Sequence, residues 1–129
     1  MTCFWDGILQ ALDLSDYQHV GCNNNLNKVK LIHFLKTKNR LIKNVTWNNT
    51  IIKNQEQTEH FNAIKNYNIN HINRGHDCST CDYFLLLISE LFNVNIKHLY
   101  RNNMIYYKNI KQSRKTLNFI SNSGHFWKK

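Results

Sequence analysis

The sequence contains no proline and only four glycines among its 129 residues. Turns that depend on proline are therefore excluded, and few turns can depend on glycine. Chain reversals must then use other residues, and the many asparagines tolerate left-handed backbone conformations and form Asx-turns. We therefore expect asparagine to form most of the turns.

A long hydrophobic run is also lacking. The longest uninterrupted apolar stretch, Tyr83 to Ile88, is far too short to span a bilayer, and the start Met-Thr-Cys has no basic segment of the secretory kind. We therefore expect no membrane contact and a cytoplasmic protein, whose four cysteines are free thiols. The excess of Asn, Lys and Ile suggests an AT-rich genome, such as that of a large DNA virus or an intracellular parasite. If the protein is viral, we expect it in the host cytosol.

What is present fits one ordered domain over residues 1–129, because 42% of the residues are hydrophobic. The formal net charge of +9 raises nucleic-acid binding as an alternative function. The basic residues are scattered, however, with clusters only at Lys28 to Lys43 and Lys108 to Lys115, and no four are consecutive. Such scatter favours solubility and general affinity for acidic partners over a dedicated nucleic-acid site.

Helical periodicity dominates the first three quarters of the chain. Trp5, Ile8, Leu9 and Leu12 give one apolar face, which predicts a helix from Cys3 to Leu12, followed by a loop ending in Gly21 to Asn25. Further helices are predicted at Leu26 to Lys38, at Gln55 to Tyr67 and from Cys81 to Phe92, the last capped by Asp77 or Ser79. The segment Leu41 to Ile52 fits either an extended piece or a short helix.

After Asn93, apolar and polar residues alternate with a period of two, which predicts strands. Val94 to Tyr100 should pair with Met104 to Lys108 through a turn at Asn102–Asn103, followed by strands at Leu117 to Ser121 and His125 to Lys128. Helices first and an antiparallel strand run last predict an α+β fold: N-terminal helices packed on a small, mostly antiparallel C-terminal sheet.

Two residues at opposite ends of the chain are candidates for nucleophilic chemistry. Cys3 begins a predicted helix, where the helix dipole and unpaired amides lower a thiol pKa, and His125 begins the last predicted strand. Each has a structural interpretation too, as a buried apolar cysteine and as a strand histidine. If the first helix meets the last strand, the thiolate and imidazole would form an ion pair, and the histidine could protonate a leaving amine.

Three segments, in this order, resemble the ovarian-tumour (OTU) family of cysteine proteases. They are Cys3-Phe4-Trp5 opening a helix, the helix-to-strand segment Leu85 to Ile96, and the terminal pair His125-Phe126. The resemblance covers the whole chain in short pieces. It implies an OTU-like fold of the papain-like superfamily and a deubiquitinase that forms a thioester at Cys3, with His125 as general base and acid.

The resemblance also implies the rest of the site. It implies contacts of Asp77, Phe4, Trp5 and Trp127 with ubiquitin or a ubiquitin-like modifier, no metal or other cofactor, and a monomer. The family carries an Asp-Gly pair before the cysteine, where this chain has Met1 and Thr2, and places Asn or Asp where Trp127 stands. Asn122 is our choice of third catalytic residue; Asn118, Asp6 and a dyad are the alternatives.

Two other interpretations stay open. Cys78 and Cys81 have CxxC spacing, and with His76, His71 or His60 they could bind zinc or form a redox pair, although no second ligand pair follows. We favour the interpretation in which Cys81 belongs to the helix core and Cys78 is incidental. The alternative overall function is a weak or inactive OTU-like module that binds a modifier or nucleic acid through its basic surface.

Overall fold

The computed structural model describes residues 3–72, 81–122 and 125–129, and only the backbone of Cys3. Within these ranges the fold is α+β, as predicted. The elements in chain order are α1 (Cys3–Ala11), α2 (Leu14–His19), α3 (Lys28–Thr37), β1 (Val45–Trp47), β2 (Thr50–Ile51), α4 (Asn54–Lys65), a 3-10 turn (Ile69–His71), α5 (Tyr83–Phe92), β3 (Asn95–Tyr100), β4 (Asn103–Asn109), β5 (Thr116–Ser121) and β6 (Phe126–Lys128). No described helix is long and apolar enough to cross a membrane.

Helix α5 lies at the centre of the core. Eight of its ten residues are buried, which agrees with the continuous apolar sequence of this segment. Asp82 caps the helix, and its Oδ1 accepts hydrogen bonds from the backbone amides of Phe84 and Leu85 at 2.9 and 3.1 Å. The prediction of a cap at Asp77 or Ser79 was therefore wrong; both residues lie outside the described ranges. The helix ends at Asn93 in a left-handed conformation.

The six strands form one sheet in the order β2-β1-β4-β3-β5-β6. The sheet is mostly antiparallel, as predicted, and β5 departs from the predicted antiparallel strand run because it pairs with β3 in parallel. Segment 41–52 is extended and supplies the β1–β2 hairpin, which joins β4. The sheet is therefore not purely C-terminal, because two of its strands lie between helices α3 and α4.

Asparagine forms several of the turns, as expected from the lack of proline and glycine. In the described part of the chain, three of the four non-glycine residues with positive φ are asparagines. Asn48 and Asn49 have φ of 48° and 64°, which suits the tight hairpin between β1 and β2. The turn after β3 lies at Arg101 and Asn102, one residue earlier than predicted, because Tyr100 pairs with Asn103.

Helix α2 lies in the segment that was predicted to be a loop. Its start is a capping box: Asp13 accepts from the amide of Asp16 at 3.1 Å, and Asp16 accepts from the amide of Asp13 at 2.8 Å. Asp16 is fully buried and forms ion pairs at 2.7 Å with Arg114 and Lys115. This short helix is therefore stabilised by cations about one hundred residues away along the chain.

Removing the buried carboxylate should test this long-range stabilisation. We expect Asp16→Ala to lower the free energy of unfolding by about 3 kcal/mol, because a broken buried ion pair leaves its partners without their counter-charge. The matched control is Asp6→Ala, which removes an exposed pair with Lys28 and should cost less than about 1 kcal/mol. Urea unfolding followed by circular dichroism measures both. Equal losses in the two variants would contradict the interpretation.

Candidate active site

Helix α1 packs directly against the edge strand β6. A Cβ atom at Gly7 would lie 2.8 and 2.9 Å from two ring carbons of Phe126 and 3.4 Å from the Cα of Trp127. The rings of Phe4 and Phe126 also touch, with centroids 4.8 Å apart. The helix can approach the strand this closely because residue 7 has no side chain. The first helix and the last strand therefore meet, which the proposed dyad requires.

This contact brings together the neighbours of both candidate catalytic residues. Cys3 is the first residue of α1 and precedes Phe4, while His125 directly precedes Phe126 at the start of β6. The backbone of Cys3 lies in the first helical turn, where unpaired amide groups favour an anion. Its side chain, the predicted nucleophile, lies outside the described part of the structure.

Asn122 and His125 close the loop that presents the imidazole. The Asn122 Oδ1 accepts from the backbone amide of His125 at 2.9 Å, and the amide of Asn122 donates to the carbonyl of His125 at 2.9 Å. The side chain of Asn122 thus holds the backbone of His125 in place. This bond gives Asn122 a role in positioning the backbone of His125, whereas its role toward the ring stays a prediction.

The other candidates for the third catalytic residue are placed less favourably. Asn118 lies on β5, and its carbonyl accepts from the backbone amide of Lys129. Lys129 follows His125 by four residues, which is about 13 Å along a strand. The carboxylate of Asp6 forms an ion pair with Lys28 at 2.8 Å. Asn122 is therefore the predicted candidate whose position beside His125 follows directly from described contacts.

The predicted substrate contacts divide into buried and exposed residues. Phe4 and Trp5 are only 2% and 1% exposed, and the indole of Trp5 donates to the hydroxyl of Tyr67 at 3.3 Å. The prediction that Phe4 and Trp5 contact a modifier is wrong, because both side chains belong to the hydrophobic core. Trp127 is 40% exposed, and its ring centroid lies 6.4 Å from that of His125. Asp77 lies outside the described residues.

A second histidine, which sequence reasoning assigned only to a strand, lies behind this loop. His98 is fully buried, its Nε2 is 2.5 Å from the Ser121 Oγ, and its ring centroid lies 5.4 Å from that of Phe126. Its buried Nδ1 has no hydrogen-bond partner among the residues that the structure describes. Burial lowers the pKa of His98, although Asp82 opposes this shift. The ring therefore supports β5 and β6 in its neutral form.

The described cysteines include one that is unsuited to nucleophilic chemistry. Burial, with Asp82 nearby, raises the pKa of the Cys81 thiol to about 12, so it stays protonated at neutral pH. Cys22 is a free thiol, as expected. Cys81 packs against the core just before α5, whereas Cys78 and His76 lie outside the described ranges. Among the described residues, no group of three His, Cys, Asp or Glu side chains could hold a metal ion.

Comparisons with protein-family models, with curated proteins and with solved structures find no match to this chain. The resemblance to the ovarian-tumour family therefore stays a prediction based on the three short segments.

Buried His98 should make the protein less stable in mild acid. The unfolded chain binds a proton near the ordinary histidine pKa of 6.5, whereas the folded chain resists protonation because its pKa is lowered. The free energy of unfolding should thus fall as the pH drops below 6.5. His60, whose pKa burial also lowers, acts in the same direction.

Urea unfolding at about pH 7.5 and about pH 5.5 measures this loss. His98→Gln should show a smaller fall than the wild type, whereas His71→Gln, at an exposed ring, should keep the wild-type fall. An unchanged pH dependence in His98→Gln would show that the buried ring is not responsible.

Proposed function

We propose that this protein is a cysteine-dependent isopeptidase with an OTU-like, papain-like fold that removes ubiquitin or a ubiquitin-like modifier. The observation that carries the proposal is the packing of α1 on β6, in which Phe4 contacts Phe126. Those two residues directly follow Cys3 and His125 in the sequence. The order of the three OTU-like segments supports the choice of substrate.

In this proposal the Cys3 thiolate attacks the carbonyl carbon after the terminal Gly-Gly of the modifier. A tetrahedral oxyanion forms, and His125 donates a proton to the leaving lysine amine as the carbon–nitrogen bond breaks. The product is a thioester on Cys3. Water, deprotonated by His125, then attacks the thioester and releases the modifier with a free carboxylate.

The site gives each remaining group a specific role. The backbone amide of Cys3, at the start of α1, supplies one donor to the oxyanion. Asn122 fixes the loop of His125 through its bond to the His125 amide. The exposed Trp127 beside His125 offers an apolar surface to the extended tail of the modifier.

The direct test is covalent labelling by ubiquitin that carries a C-terminal electrophile. The wild-type protein should gain the mass of one ubiquitin, and Cys3→Ala should abolish the product, because the thiolate forms the bond. The matched control is Cys22→Ala, which removes another free thiol and should leave labelling unchanged. His125→Gln should slow labelling at least about a hundredfold, the size of a typical general acid–base contribution.

The outcomes separate the two functional interpretations. Labelling that persists in Cys3→Ala would contradict the choice of nucleophile. If the folded wild-type protein is not labelled by electrophiles of ubiquitin or of ubiquitin-like modifiers, the hydrolase proposal is wrong. Binding of unmodified ubiquitin under those conditions would favour the module without catalysis.

A further inference from the structure

A polar depression lies near the C-terminal end of α5. It consists of two cavities of about 250 and 380 Å³ that share Arg40, Asn44 and Glu90. Phe84, near the start of α5, contacts Trp5 beneath the candidate active site, whereas Glu90 lies six residues further along, or about 9 Å. The depression is therefore separate from the contact between α1 and β6.

The charge of this depression is positive. The described residues that line it include the cations Arg40, Lys43 and Lys111 and one carboxylate, that of Glu90. Three permanent cations thus face a single anion. A surface of this charge attracts anions, and more strongly at low salt.

The single carboxylate is already fully engaged. The side chain of Glu90 is 2% exposed; its Oε2 accepts from the Nε of Arg40 at 2.6 Å, and its Oε1 accepts from the amides of Lys43 and Asn44 at 2.9 and 3.0 Å. Glu90 therefore fixes both the loop of residues 40–44 and the guanidinium. Its negative charge is compensated by these donors, and the lining as a whole keeps a net positive charge.

The arginine is held by one nitrogen and presents the others. Within the described part of the chain, the terminal Nη groups of Arg40 make no hydrogen bond, and its side chain is 55% exposed. A guanidinium anchored at Nε offers a planar pair of donors, the geometry that binds two oxygens of one phosphate. Because its Nε is already bound to Glu90, the side chain loses less conformational entropy on binding than a freely moving arginine would.

We propose that this depression binds the phosphate group of a small, nucleotide-sized ligand. The Nη groups of Arg40 and the Nζ groups of Lys43 and Lys111 contact phosphate oxygens, and Glu90 is a positioning residue. Single-stranded nucleic acid is disfavoured, because the described lining contains no Phe, Tyr or Trp on which bases could stack. The cavity volumes are of the order found for small-molecule sites.

The test is titration of ¹⁵N-labelled full-length protein with inorganic phosphate, adenosine monophosphate, adenosine and a short oligothymidylate. Phosphate and adenosine monophosphate should shift the amides of Lys43, Asn44 and Lys111 saturably, with tighter binding of the nucleotide. Adenosine, which has no phosphate, should shift none of them. Higher salt should weaken both complexes.

Matched variants locate the binding. Arg40→Gln should weaken adenosine monophosphate binding roughly tenfold, as expected for the loss of a charge-assisted pair of hydrogen bonds. Lys111→Gln, which leaves the contacts of Glu90 intact, should weaken it several-fold without lowering stability. The matched control is Arg101→Gln, which removes the same charge at the turn of the β3–β4 hairpin, about 20 Å from the depression. It should change the affinity less than about twofold.

Three results would overturn the proposal. The first is the absence of amide shifts at the depression with millimolar phosphate and nucleotide. The second is an equal loss of affinity in Arg101→Gln and Arg40→Gln, which would indicate attraction by the overall charge. The third is preferential binding of oligothymidylate, which would assign the surface to nucleic acid.

Discussion

The two ends of the chain are joined by the close packing of α1 on β6, and the candidate chemistry depends on that contact. Gly7 lets the helix lie against the ring of Phe126, and the aromatic pair Phe4–Phe126 fills the space beside it. A larger residue at position 7 would push the helix away from the strand. The start of α1 and the loop before β6 would then separate, although both elements would still form locally.

Two buried carboxylates perform a comparable task elsewhere in the molecule. Asp16 connects α2 to Arg114 and Lys115 in the segment before β5, and Glu90 connects α5 to the loop before β1. Each carboxylate is buried with several donors, which is how an interior charge avoids an uncompensated desolvation penalty. In both places a buried carboxylate joins a helix to a segment outside the helices and strands.

The α1–β6 packing and the buried carboxylate of Glu90 each support a separate region of the surface. At one end of α5, aromatic packing supports the loop of His125, with neutral His98 behind it. At the other end, Glu90 immobilises Arg40 over a cationic depression. The net charge of +9, which on the sequence suggested a diffuse affinity for anions, is thus partly organised around one anchored guanidinium.

The sequence by itself determined the elements whose signal is local. The helices α1, α3, α4 and α5 and the strands β3 to β6 follow from hydrophobic periodicity, and asparagine forms tight turns where proline is absent. Only the tertiary structure decided what depends on distant partners. Helix α2 needs cations about a hundred residues away, β5 becomes parallel because it pairs with β3 rather than β4, and His98 becomes an interior group beside Ser121.

The candidate site divides in the same way. The residue types of Cys3 and His125 could be selected from the sequence, whereas the meeting of their elements, the burial of Phe4 and Trp5 and the loop contact of Asn122 could not. Periodicity reports which face of a segment is apolar, but not which other segment covers that face. Packing between remote segments decides this, because the burial of one apolar face depends on the shape of the other.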